Sequence, residues 1–193
     1  MKSKGSFEKV IAGQRVVASL RRIDDLGEVL NHKKIKTIFI LNTNIFELKR
    51  ITNEVNKNGK KVFVHVDLVE GLGKDTTGIR FLSKAIGVDG IISTKSTLIK
   101  AAKDEGLVTV QRFFMVDSEA VKTGIKMAKV GKPDALEIMP AFLPKYYLDQ
   151  VIEELGVPVI AGGLMRTEED AEMVLNAGFR AITTSRRALW NLD

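Results

Sequence analysis

Two short stretches near the C-terminal end carry residue types that hold an oxyanion. Gly162-Gly163 follows the apolar run Val159-Ile160-Ala161, and Thr184-Ser185 follows Ala181-Ile182-Thr183. Glycine lets a backbone approach an anion, hydroxyl and amide groups donate to it, and the N-terminus of a following helix adds its dipole. Gly162, Gly163, Thr184 and Ser185 are therefore candidate phosphate ligands. A structural reading of the same residues stays open: Gly-Gly makes a tight left-handed turn and Thr-Ser caps a helix. Cations stand in comparable places after other apolar runs, at Arg21, Lys95, Arg112 and Arg166. Each can pair with a phosphate, pair with a carboxylate, or simply be solvated.

Strand alternation adds polar residues to the same interior. In Lys61–Asp67 the apolar Val62, Val64 and Val66 share one face, which leaves Phe63, His65 and Asp67 on the other. In Ala135–Met139, Glu137 lies opposite to Leu136 and Ile138. In Leu107–Phe113, Val108 and Val110 are expected to face helices, with Thr109 and Gln111 facing in. Burying carboxylates is costly unless they are paired or solvated. Asp67 and Glu137 thus either line a ligand pocket or satisfy one another and nearby Lys and Arg. For His65 the plainer reading is a hydrogen-bonded core histidine.

These residues need a scaffold, and the chain supplies one by regular alternation. Strand candidates are Val16–Leu20, Thr37–Leu41, Lys61–Asp67, Gly90–Thr94, Leu107–Phe113, Ala135–Met139, Val157–Ala161 and Ala181–Thr183. Helical patterns follow, for example at Asn44–Asn56, Thr76–Ala85, Ser118–Lys129 and Lys145–Leu155. Asn44 with Glu47, Asp117 and Thr167 with Asp170 supply helix starts, while Gly59, Gly87, Gly106, Gly131, Gly156 and Gly178 mark stops. Eight βα units in 193 residues leave about 24 residues each, which predicts a compact (βα)8 TIM-barrel-like fold with short loops, as a single domain. An open doubly wound sheet is the second choice. In a barrel, a phosphate site commonly lies after strands seven and eight, where the glycine and Thr-Ser stretches fall.

Composition narrows the chemistry. Cys is absent, which removes disulfides, thiol catalysis and thiolate metal sites. With two His, a zinc site is not expected; Asp67, Glu70 and Glu137 are the carboxylates that could hold Mg²⁺. No apolar run reaches membrane-spanning length and the N-terminus has no signal-like core, so a cytoplasmic protein without membrane contact is expected. No nucleophile elbow, zinc-protease or P-loop motif is present. An enzyme using Asp67 or Glu137 as base with Lys95 as electrostatic partner stays open. The net charge of +6 permits an anionic partner such as RNA.

The segments HVDLVEG (His65–Gly71), GIIST (Gly90–Thr94), QRFF (Gln111–Phe114), DALEIMP (Asp134–Pro140), AGGLMRTEED (Ala161–Asp170) and ITTS (Ile182–Ser185), with Leu189-Trp190, occur in this order. Together they resemble the glycerol-3-phosphate-responsive antiterminator family. The resemblance implies a TIM-barrel-like protein that senses glycerol 3-phosphate and binds leader mRNA; with no catalytic constellation in the sequence, no enzyme and no cofactor are expected. Its implied action is to prevent premature termination at glycerol operons. On that basis Asp67 and Glu137 would read the glycerol hydroxyls, with His65, Lys95, Arg112 and Arg21 as further partners. The alternative class is a phosphate-substrate barrel enzyme resembling prenyltransferases. No RNA motif is legible, so placement follows charge: Lys33, Lys34, Lys60 and Lys61 on the N-terminal face, or Arg186 and Arg187 beside the phosphate loop. Assembly is open, a homodimer included.

Overall fold

The computed structural model describes residues 6–192; residues 1–5, the start of the stretch read for a leader, lie outside them. A one-turn helix α1 (Phe7–Val10) precedes eight parallel strands: β1 (Val16–Leu20), β2 (Thr37–Ile40), β3 (Lys61–His65), β4 (Gly90–Ser93), β5 (Val108–Phe114), β6 (Ala135–Met139), β7 (Val159–Gly162) and β8 (Ala181–Thr184). They close into a barrel, β8 pairing with β1 through Val16 opposite Ile182. Between them run α2 (Leu26–Asn31), α3 (Ile45–Lys57), α4 (Thr76–Phe81, extended by a π turn over Leu82–Ile86), α5 (Ser96–Asp104), α6 (Ser118–Gly131), α7 (Lys145–Leu155) and α8 (Glu168–Ala177). A 3-10 helix, Arg187–Asn191, follows β8. The expected (βα)8 barrel is present, each strand within two residues of its expected bounds. Among the described residues no helix is long and apolar enough to cross a membrane.

Parallel strands in a barrel are covered on both faces, so each carries two apolar sets. Ile38, Ile40, Val62, Val64, Ile91, Leu136 and Ile138 pack outward under the helices. Val17, Phe39, Phe63, Ile92, Val108, Val110 and Ile160 fill the interior. Gly90 makes room for that filling, because a Cβ there would lie 2.2 Å from Phe63 Cε1 and 2.4 Å from Val108 O. Helix α1 then closes the N-terminal end. Phe7 meets Phe63 edge-on at 6.0 Å between centroids, and Phe7 and Ile11 are fully buried. Gln14 ties this closure to β2: its Nε2 donates to Val10 O and Thr37 Oγ1, and its Oε1 accepts from Lys36 N and Thr37 N.

Three expectations are corrected by the fold. The inside of β5 is Val108, Val110 and Arg112, not Thr109 and Gln111. Thr109 bonds Asp134 and Gln111 Nε2 donates to Ser96, so both find partners in the helix layer, although Gln111 Oε1 is left without one. Strand β3 ends at His65, and Asp67 sits in a 3-10 turn, Val66–Leu68, where alternation no longer applies. Gly131 is the last residue of α6 as expected, although Lys132 takes the left-handed cap, and a Cβ on Gly131 would lie 2.7 Å from Gln111 Oε1. Asn44 accepts from Phe46 N and Glu47 N, but the Glu47 side chain turns to Arg50, so only half of that capping box forms. The box at Thr167 and Asp170 is complete.

Candidate functional site

Strand register brings the interior polar groups together. Arg112 on β5 stands opposite Glu137 on β6, and Thr183 on β8 stands opposite Gly162 on β7. Arg112 Nε donates to Glu137 Oε2 at 2.7 Å, and Thr183 Oγ1 donates to Glu137 Oε1 at 2.5 Å. Glu137 is fully buried and Arg112 nearly so, so each charge is tolerated only because the other answers it. Gly162 is what allows the arrangement. A Cβ there would sit 2.7 Å from Thr183 Oγ1 and 3.0 Å from Glu137 Oε1.

Above this group, at the C-terminal ends of the strands, opens a cavity of about 420 Å³. Strand β1 and its loop contribute Ser19 and Arg21, and β5 and β6 contribute Arg112, Glu137 and Met139. The loop after β7 contributes Gly163 to Arg166, and β8 with its loop contributes Thr183 to Arg186. Gly163 and Leu164 are both left-handed, with φ of +81° and +63°. Glycine adopts that freely, but for Leu164 it costs about 1–2 kcal/mol. On the other side, Thr184 Oγ1 accepts from Arg186 N and Thr184 O accepts from the indole of Trp190, which fixes the bend after β8.

The electrostatics are one-sided. Four arginines and one glutamate line the cavity, leaving a net charge of +3. The chain has ten arginines. Arg15, Arg22, Arg50, Arg80, Arg112, Arg180 and Arg187 each form an ion pair. The other three, Arg21, Arg166 and Arg186, form no ion pair among the described residues, although the Asp170 carboxylate lies within reach of the Arg166 charge, and all three line this cavity. All three are exposed, and guanidinium groups placed around a concave surface have the chemistry to receive a phosphate or carboxylate.

Of the four candidate phosphate ligands, Gly163, Thr184 and Ser185 line the cavity, while Gly162 lies beneath it. Arg21, Arg112 and Glu137 join them. Asp67, His65 and Lys95 are not in its lining. Asp67 accepts from Thr94 N at 2.8 Å and from Ser93 Oγ at 3.1 Å, which ties the turn after β3 to the end of β4. Lys95 is the exposed N-cap position of α5. His65 is buried with Nδ1 lacking a hydrogen-bond partner, 3.8 Å from Asp67 Oδ2. Burial, reinforced by the Arg112 charge, lowers its pKa to about 4. Among the described residues no three His, Asp or Glu form a metal-holding group, so Asp67, Glu70 and Glu137 do not assemble one. Arg186 was placed with the RNA candidates from sequence, and only closure of β8 onto β1 reveals it as a cavity residue.

The lysines read as a basic N-terminal face are differently placed. Lys60 is buried; its Nζ donates to the carbonyls of His32, at 2.7 Å, and Ile35, and desolvation lowers its pKa. Lys61 pairs with Asp89 at 2.8 Å and Lys34 donates to Asn191 O at 2.9 Å. Lys33 is exposed. Arg187, at the other end, is held by Asp25 and Glu28.

With this geometry in view, comparison with known proteins is informative. A curated protein of Escherichia coli strain K12, YgcP, is 40% identical over 155 residues, 80% of this chain and 81% of that protein. A crystal structure of a glycerol uptake operon antiterminator regulatory protein from Listeria monocytogenes matches with a TM-score of 0.87 at 35% identity, covering 93% of this chain and 96% of that one. A glycerol uptake operon antiterminator-related protein from Thermotoga maritima matches with a TM-score of 0.81 at 36% identity, covering 92% and 98%. Aldolases match in fold alone, at 14–16% identity. The family model described as glycerol-3-phosphate responsive antiterminator matches residues 16–190. From its first strand to the helix that carries Trp190, the chain belongs to the glycerol-3-phosphate responsive antiterminator family.

Proposed function

We propose that this protein senses glycerol 3-phosphate in the cavity at the C-terminal ends of β1 and β5–β8, and that its occupied state binds leader RNA to prevent transcription termination. The observation that carries the effector assignment is the placement of the three unpaired arginines, Arg21, Arg166 and Arg186, around one cavity. A phosphate monoester carries about −1.5 to −2 charges at neutral pH, which the +3 lining accepts with cation to spare. Its oxygens take donors from Gly163, Ser185 and the arginines. The glycerol end turns inward to Ser19 and Glu137. The Glu137 oxygens already accept from Arg112 and Thr183, and each has a second lone pair to offer a hydroxyl. Asp67 is engaged in joining β3 to β4 and takes no part. The regulatory reading requires no turnover, so glycerol 3-phosphate incubated with the protein is expected to be recovered unchanged.

Calorimetric titration tests the assignment. Glycerol 3-phosphate should bind more tightly than inorganic phosphate, and glycerol alone should not bind measurably. Arg166→Ala and Arg186→Ala should each weaken glycerol 3-phosphate by about tenfold or more, the scale of a charge-assisted hydrogen bond. Trp190, the sole tryptophan, is bonded to the Thr184 carbonyl and should report filling through its fluorescence. Equal affinity for phosphate and glycerol 3-phosphate would show that no hydroxyl is read.

A further inference from the structure

The rim around the cavity is apolar on one side and cationic on the other. Phe114 ends β5 with 59% exposure, Phe142 follows β6 with 42%, and Tyr146 opens α7 with 74%. Val116 and Leu164, at 75% and 72%, extend the same arc, since β5, β6 and β7 are neighbours in the barrel. Where the arc reaches the loop after β7, Leu164 lines the cavity and Arg166 begins the arginine side, which continues through Arg186 to Arg21. Single exposed apolar residues are ordinary, but several gathered on one rim beside a cavity mark an interaction surface.

Charge decides which partner fits. A second copy meeting this rim about a two-fold axis would bring three unpaired arginines from each chain to one place. A polyanion bearing flat apolar groups matches both halves of the rim at once: bases stack on aromatic rings while phosphates meet guanidinium groups. On the N-terminal face several cations are already engaged, Lys60 with backbone, Lys61 with Asp89, Lys103 with Asp134 and Lys129 with Glu154, while Lys33 is exposed. The effector phosphate does not exhaust the rim charge, since a lining of +3 exceeds what one monoester brings.

We propose that single-stranded RNA docks on this C-terminal rim, bases stacked on Phe114, Phe142 and Tyr146 and phosphates drawn to Arg166, Arg186 and Arg21. This rests on the reading of the protein as an RNA-binding sensor, and it places RNA directly over the effector. Effector and RNA then share one mouth, and because the lining stays net positive with the effector phosphate bound, the occupied rim still draws RNA phosphates.

The test is fluorescence anisotropy of a labelled, sequence-randomised single-stranded RNA of about 20 nucleotides, long enough for several stacked bases. It is run at low salt with and without saturating glycerol 3-phosphate. The combined variant Phe114→Ala, Phe142→Ala, Tyr146→Ala should lose about tenfold or more in RNA affinity, the effect of removing stacking platforms. Its glycerol 3-phosphate affinity by calorimetry should be unchanged, which also shows that it folds. Tyr146→Phe, which keeps the ring, should bind RNA as the wild type does, and Lys33→Glu with Lys61→Glu should cost less than about threefold. Undiminished RNA binding by the triple variant overturns the proposal. So does a large loss confined to the lysine variant, or a dimer that the triple variant dissolves while RNA binding stays. A wild type that binds glycerol 3-phosphate but no RNA overturns the RNA reading together with this surface. A wild type that binds RNA but no glycerol 3-phosphate fails only as a sensor of that effector.

Discussion

The N-terminal end of the barrel is sealed and largely charge-paired, whereas the C-terminal end is open and holds arginines that form no ion pair. At the first, Phe7 and Ile11 plug the interior, Gln14 makes four hydrogen bonds, and Arg180 pairs with Glu8 and Arg15 with Glu172. At the second, Arg21, Arg166 and Arg186 surround a cavity, and Leu164 is held left-handed at its edge. The same strands run through both ends, so the difference lies in what the loops present. One end carries the stability of the fold, and the other keeps its electrostatic and conformational strain available for a ligand.

Changes at the two ends should therefore separate stability from binding. Phe7→Ala empties the plug and is expected to cost about 3–5 kcal/mol of stability in denaturant titration, while glycerol 3-phosphate affinity stays near that of the wild type. A comparable loss of affinity would show that the two ends are coupled. Gly163→Asp sets a negative charge in the cavity and should lower affinity by about a hundredfold or more, close to 3 kcal/mol by calorimetry. Gly162→Ala lies on the boundary between the ends. Its Cβ would press on Thr183 and Glu137, so a stability loss of about 1–3 kcal/mol is expected, with a smaller effect on binding.

How far the comparison was visible in the sequence depends on the element. Glycine-punctuated alternation exposed the barrel because each βα unit carries its own local signals. The inner face of β5 was misread for a physical reason. Both faces of VTVQRFF are buried, and Thr109 and Gln111 find polar partners in the helix layer, so polarity did not mark the interior. The plug was not legible either, since a four-residue helix has no periodicity to detect. Arg21, Lys95, Arg112 and Arg166 stood as equals in sequence. Only register shows that Arg112 belongs to Glu137, that Lys95 is elsewhere, and that Arg186 completes the set.

Two smaller effects sharpen the contrast. His65 lies inside the barrel with its pKa lowered to about 4, first by burial and then by the Arg112 charge. A histidine with a folded pKa below its unfolded value near 6.5 takes its proton preferentially in the unfolded chain. The stability linked to it is therefore intact above about pH 6.5 and is lost as pH falls toward 4. His65→Gln should flatten that part of the pH–stability curve, and an unchanged slope would remove His65 from the account. Arg180→Ala, which breaks a half-exposed pair with Glu8, should cost no more than about 1 kcal/mol in thermal unfolding and leave binding alone.

The most direct test of the cavity assignment is a crystal structure of the protein grown with saturating glycerol 3-phosphate. The phosphate should lie against Gly163 and Ser185 with Arg21, Arg166 and Arg186 turned toward it, and the glycerol hydroxyls should point to Ser19 and Glu137. A phosphate bound elsewhere on the chain, with this cavity empty at saturating ligand, would contradict the account.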